Sequence, residues 1–518
     1  MISIYNKYIS VIYNNFFTNT LDYKLVNLYR FLYCITTLIL CVNIINQFDF
    51  IYGNDSIISI YFIYLLIFLV SLFQLGYTNI IIRILIFSIK SYCLLNCDTI
   101  YNIEIKFALT LSFWNIFFDF YNNKNPKSWP LKLFCISFFM NFCTGGGLTK
   151  FFDEIWFTGY GLYYALNVDW CNSYLSKIIT SNQAIVVILN YIVIFLETFC
   201  IIFIFIKKLK IIAFITLVSF TIFTLFILRI DLIGQYSTSI IFILFPLFIK
   251  KDTKLTSFLL FIEKLLSNSF FKIKFRIDNF YPTQINYILG LFVFFLVLIS
   301  SLYSILINVQ RQCSPLNGFV SSIDSFRYKF KLYYIQEFVG IRYDHLFTRM
   351  HFEDLVGFRA IVSYNNGSES EPVCVFNSDL TGGKDTQDIF SSRFYSAFMY
   401  RCTIFNRMIR NSRDSDKVFH ESMISPQVYN FLRHVNNKSI IKDSKVSNIS
   451  LLISPIIQPS HYDFDFYYPK IWYKVLIYYP EFNKFEIIND PSYQETFPVS
   501  SSLDNFGFNV KHYLRKFY

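Results

Sequence analysis

The sequence predicts a polytopic α-helical membrane bundle of about nine spans, followed by an exoplasmic α+β, β-rich domain. Three observations predict it. Hydrophobic residues make up 54% of the 518 residues and charged residues only 16%, too apolar a balance for a soluble chain of this length. Nearly every uncharged run of membrane length lies before Arg311, whereas all six histidines (His345, His351, His420, His434, His461 and His512) lie after it. Lysine and arginine clusters then alternate between the apolar runs as cytoplasmic loops do.

The chain divides into a cytoplasmic N-terminal tail (1–24), the bundle (25–308, with a basic cytoplasmic loop at 250–284) and the exoplasmic domain (309–518). Spans are expected at Asn27–Gln47, Ser56–Leu75, Asn79–Leu95, Ile105–Phe120, Leu131–Gly147, Ala184–Ile206, Ile211–Leu228, Leu232–Phe248 and Ile285–Ile307. Several fall short of the roughly 20 residues that a bilayer core requires. Lys7 and Lys24 place the N-terminus inside, and Asp49 and Asp55 mark the next loop as outside. Lys124, Lys127 and Lys132, then Lys207, Lys208 and Lys210, return the chain to the inner side. The basic loop containing Lys250, Lys251, Lys272, Lys274 and Arg276 is also inside, so a ninth span carries the last domain outward. Within that loop Leu255–Phe271 is either an amphipathic helix on the anionic leaflet or a snorkelling topology loop. The first span serves as the insertion signal, since no short apolar stretch with a small-residue cleavage site precedes it. Such a chain belongs in a bacterial inner membrane or the endoplasmic reticulum.

A net charge of +11 suggests nucleic acid at first sight, but the basic residues flank apolar runs, where topology places them. No nucleic-acid partner is expected; membrane lipid is. The eleven cysteines divide eight to three between bundle and domain, with no CxxC pair or metal-like Cys/His spacing, so no metal is expected. Cys313, Cys374 and Cys402 permit at most one internal disulfide.

In the exoplasmic part, alternation over Phe358–Tyr364, the turn pair Asn366-Gly367 and the run Val373–Phe376 predict a β-hairpin. Trp472–Tyr478 pairs with Phe485–Ile488 across a turn that contains proline. Phe390–Arg410 and Gln427–Val435 show helical periodicity. Asn54, Asn366, Asn437 and Asn448 head N-x-S sequons.

Ionisable residues at membrane depth are expensive, so each is a functional candidate. Arg30 and Glu197 lie within apolar runs, Arg83 and Lys90 in the third span, and Arg229 and Asp231 at the junction of the seventh and eighth. Arg229 and Asp231 read as a local ion pair at an outer turn. Glu197 has no charge within a helical turn and needs a partner from another helix. The most distinctive stretch is Gly145–Leu166: three glycines permit close helix approach or backbone unwinding, and Lys150 follows on the side where positive charge is not expected. Lys150 is either a desolvated amine able to act as a base, or a lysine that snorkels to the headgroups or pairs with Asp153 or Glu154.

Gly147-Leu148-Thr149-Lys150, an acidic turn, Trp156, Gly159 and Tyr163-Tyr164-Ala165-Leu166 together resemble the signature of the HTTM (horizontally transferred transmembrane) domain family, related to vitamin K-dependent gamma-glutamyl carboxylase. Leu28-Tyr29-Arg30-Phe31-Leu32, Leu75-Gly76 with Arg83, Glu197 and Ile233-Gly234-Gln235-Tyr236 follow in the family's order, so the resemblance covers most of Lys24 to Phe248. It implies that Lys150 is the base that deprotonates a reduced, vitamin K hydroquinone-like quinone, with an exported polypeptide as substrate and a carboxylase (carbon–carbon lyase) reaction. One departure counters this: family members often carry a histidine where this chain reads Phe223-Thr224-Leu225-Phe226. The last domain resembles, more weakly, the outward-facing β-rich domain of that family. Two other classes stand beside the enzyme: a non-enzymatic lipid- or quinone-binding membrane protein, and a maturation factor for exported proteins. The enzyme reading expects a cavity near the outer helix ends lined by Lys150, Glu197 and Trp156.

Overall fold

The computed structural model describes residues 23–46, 57–95, 103–118, 142–167 without 152, 174–228 without 207, 234–241, 356–374 without 371–372, 426–439, 445–455 and 473–488, together with scattered single residues.

The described part of the bundle begins with α1 (Tyr23–Asn46), α2 (Ile57–Leu75), α3 (Ile80–Leu95) and α4 (Ile103–Phe117). The α2–α3 turn is tight because Gly76 takes φ +109, and Tyr77 N–H donates to Leu72 O at 3.1 Å in a Schellman-type stop. Asn79 then caps α3, its Oδ1 accepting from Ile82 N–H at 2.9 Å. Arg83 is absorbed by structure: Nη1 donates to Asn115 O, Ile116 O and Phe118 O, covering the free carbonyls at the end of α4.

The end of the expected fifth span is a π-helix, Phe142–Gly147, running directly into α5 (Leu148–Phe151). Short helices α6 (Glu154–Phe157), α7 (Gly161–Asn167) and α8 (Tyr174–Thr180) lead into α9 (Gln183–Phe205), α10 (Lys210–Ile222) and a π-turn at Phe223–Ile227. That turn occupies the segment where the HTTM resemblance expects a histidine. Residues 234–241 form α11. Among the described residues three helices are long and apolar enough to cross a membrane: Leu25–Asn46, Gln183–Ile204 and Lys210–Ile227. One flank of α9 leaves Ile188, Phe195 and Ile202 largely exposed, an apolar stripe suited to a hydrocarbon solvent rather than water. The expected span Ile285–Ile307 and helix Phe390–Arg410 lie outside the described residues, as do Arg229, Asp231 and Asn54.

The sheet has five antiparallel strands in the order β2-β1-β3-β4-β5: β1 Val356–Tyr364, β2 Val373–Cys374, β3 Val446–Pro455, β4 Tyr473–Tyr479 and β5 Lys484–Ile487. Both expected hairpins form, with Ala360 opposite Val373 and Leu476 opposite Ile487. The second turns through Pro480 to Asn483, and Asn483 adopts φ +48. The central strand β3 is an addition to the expected elements; it separates the hairpins, pairing Leu451 with Ala360 on one side and Leu476 on the other. Helix α12 (Pro426–Lys438) packs on β1 and β3 with Val428, Phe431, Leu432 and Val435 buried, the i, i+3, i+4, i+7 stripe of an amphipathic helix.

Candidate functional site

Glycine determines where the site can form. The π-helix Phe142–Gly147 lies against α9 so closely that a Cβ on Gly147 would sit 2.4 Å from the Thr198 backbone nitrogen. A Cβ on Gly146 would sit 2.6 Å from Glu197 Oε2. Only glycine admits this approach, which places the next turn, and Lys150 with it, beside the middle of an apolar helix. Thr149 Oγ1 returns to Gly146 O at 3.0 Å, satisfying a carbonyl where the ladder changes pitch.

Lys150 Nζ donates to both carboxylate oxygens of Glu197, at 2.8 Å to Oε1 and 2.7 Å to Oε2. The side chains are 7% and 13% exposed, so the pair is held almost entirely out of solvent. A third face of the ammonium meets the Trp156 ring, whose centroid is 4.5 Å away, in cation–π geometry. The three side chains expected to share one place thus do so. Asp153, one alternative partner of Lys150, is used elsewhere: its Oδ1 accepts from Ile155 and Trp156 N–H and caps α6. Arg30 joins neither group; it makes no hydrogen bond among the described residues, and its buried Nε is unpaired there.

Chemically, the pair is neutral as a unit, bidentate and dry. Moving one proton from Nζ to a carboxylate oxygen under 3 Å away leaves a free amine and a neutral acid, with no net charge created in the apolar surroundings. That is an internal proton store for acid–base chemistry.

Two groups escaped the sequence reading. Asn190, wholly buried on α9, bonds the Trp156 carbonyl and the Leu162 N–H. A lone amide seven residues before Glu197 in an apolar run was its signal. Lys90 is also wholly buried, with Nζ donating to Tyr236 Oη at 2.7 Å and Thr37 Oγ1 at 3.3 Å, over the Tyr33 and Tyr236 rings. It has no carboxylate partner among the described residues. Close by, Tyr33 Oη and Ser112 Oγ share a hydrogen bond at 2.7 Å, and the Tyr29 hydroxyl donates to Asn115 Oδ1. Lys90 therefore anchors a polar seam joining α1, α3, α4 and α11.

Fold and site together define a mostly helical protein with three helices able to span a membrane, a small antiparallel sheet, and a buried lysine–glutamate pair. Comparison with protein-family models, with curated proteins and with solved structures finds no match.

Proposed function

We propose that this chain is a multi-pass membrane enzyme of the HTTM and gamma-glutamyl carboxylase type, in which Lys150 and Glu197 form an acid–base centre acting on a lipid-soluble reduced quinone. The observation that carries the proposal is the bidentate contact, 2.7 and 2.8 Å, sealed by Trp156. The nine-span topology, cytoplasmic N-terminus and exoplasmic sheet domain belong to the same proposal, supported by the alternating basic loops and the apolar exposed stripe of α9.

The residues present suit such a cofactor. Trp156 offers a flat apolar face, Lys150 an amine that accepts once its proton has passed to Glu197, and the Thr198 hydroxyl oxygen beside Gly147 has no partner among the described residues. When bound, the reduced quinone supplies the acidic hydroxyl. The chain's own contribution is to hold the amine dry, take a proton at Nζ and keep its countercharge at Glu197. An exported polypeptide is the proposed second substrate, met on the outer side.

Lys150→Met is expected to abolish consumption of a reduced quinone by purified protein while far-ultraviolet dichroism stays native. Unchanged consumption refutes the base assignment.

One observation favours a second reading. Both ions of the pair are satisfied in the resting protein, which suits a lipid- or quinone-binding protein, or a maturation factor for exported polypeptides, that does no chemistry. That reading expects the extracted protein to carry bound quinone or lipid and to leave it unchanged.

A further inference from the structure

Between α6 and α7 the chain leaves one helix and starts another within a few residues, so backbone groups there lack ladder partners. Asn190 supplies two of them. Its Nδ2 donates to Trp156 O at 2.8 Å, and its Oδ1 accepts from Leu162 N–H at 2.9 Å. The neighbouring Tyr191 hydroxyl donates to Phe157 O at 2.9 Å. Gly159, at φ +93, lies against Val187, and Gly161 leaves room for the indole, since a Cβ there would sit 2.2 Å from the Trp156 ring. The indole is therefore pinned through its own carbonyl and through the residue that follows the break. Its free face lies 4.5 Å from Lys150 Nζ. Asn190 precedes Glu197 by seven residues, about two helical turns, so one rigid helix carries both the carboxylate and the clamp on the ring.

We infer that Asn190 is a positioning residue of the Lys150–Glu197 centre, setting the Trp156 indole against the lysine ammonium and so limiting which face of the amine a ligand can reach. Its functional meaning rests on the acid–base proposal above, whereas the coupling of Asn190 to Trp156 and Lys150 does not.

The test uses the full-length protein labelled with 5-fluorotryptophan, with the Trp156 fluorine resonance assigned by its loss in Trp156→Phe. Lys150→Met is expected to shift that resonance in the native background and to leave it unshifted in Asn190→Ala. The buried Trp114 on α4 serves as the folding control. Should Asn190→Ala move the Trp114 resonance too, Asn190→Asp is read in its place, because it keeps an acceptor for Leu162 and loses only the donor to Trp156. A Lys150→Met shift of equal size with and without Asn190 overturns the inference. Quinone consumption by the unlabelled native protein is scored separately. Lost coupling with no consumption ends the acid–base proposal while upholding Asn190 as the ring's anchor.

Discussion

Lys150 Nζ reaches both oxygens of Glu197 across 47 positions of sequence, at 2.8 and 2.7 Å, inside a helix pair that water barely touches. Removing one partner strands the other as a buried charge, which costs about 3–5 kcal/mol. Lys150→Met and Glu197→Gln should each destabilise the detergent-solubilised protein by that order in denaturant unfolding. The double substitution should restore most of the loss. Single losses under about 1 kcal/mol would mean the pair behaves as a solvated surface contact.

The two glycines facing α9 should separate packing from chemistry. Gly147→Ala drives a methyl into the Thr198 backbone, which cannot rotate away, so a loss of about 1–3 kcal/mol is expected. Gly146→Ala meets the end of the Glu197 side chain, which can move. That variant should keep near-native thermal stability yet lose the Lys150 contact and, with it, quinone consumption. Equal stability losses for both would contradict this division.

Lys90 supplies a contrast. Replacing it with methionine removes a buried cation while Tyr236 Oη keeps Thr37 Oγ1 at 3.1 Å, so stability should be unchanged or higher. Tyr236→Phe instead strips the amine of its 2.7 Å partner and should cost about 1–3 kcal/mol. Reversed signs in thermal unfolding would refute the seam as described.

In the sheet domain, burial beside Tyr429 pushes the Tyr478 hydroxyl up from 10.0 to about 12. A raised folded value means the folded state holds its proton more tightly. Its contribution to stability is complete below pH 10 and is lost as pH rises from there through about 12. Unfolding temperature measured across that interval should fall less steeply in Tyr478→Phe than in the native protein. Parallel slopes would show that Tyr478 does not titrate with unfolding.

Much of the architecture could be read because its signals are local. Gly76 after an apolar run stops α2, Asn366-Gly367 turns the first hairpin, and the apolar spacing of Val428–Val435 makes α12 amphipathic. Strand β3 was harder. Ile449, Ser450 and Leu451 are all buried because β3 is flanked by β1 and β4, and a centrally paired strand loses the alternation that marks an exposed one. Lys90 was noticed as an intramembrane charge, but its partners Thr37 and Tyr236 lie 53 and 146 positions away, beyond any local spacing.

The sequence by itself determined the apolar helices, the glycine-rich approach before Lys150, and the need of Glu197 for a distant partner. These follow from short-range chemistry: hydropathy, missing Cβ atoms, and the cost of an unpaired charge in an apolar run. Only the tertiary structure decided that Lys150 is that partner, that Asp153 spends its oxygen on a helix cap, and that Asn190 holds the ring closing the site. The reason is geometric. A lysine can satisfy its ammonium with any carboxylate in reach, and reach is set by how closely the π-helix packs on α9.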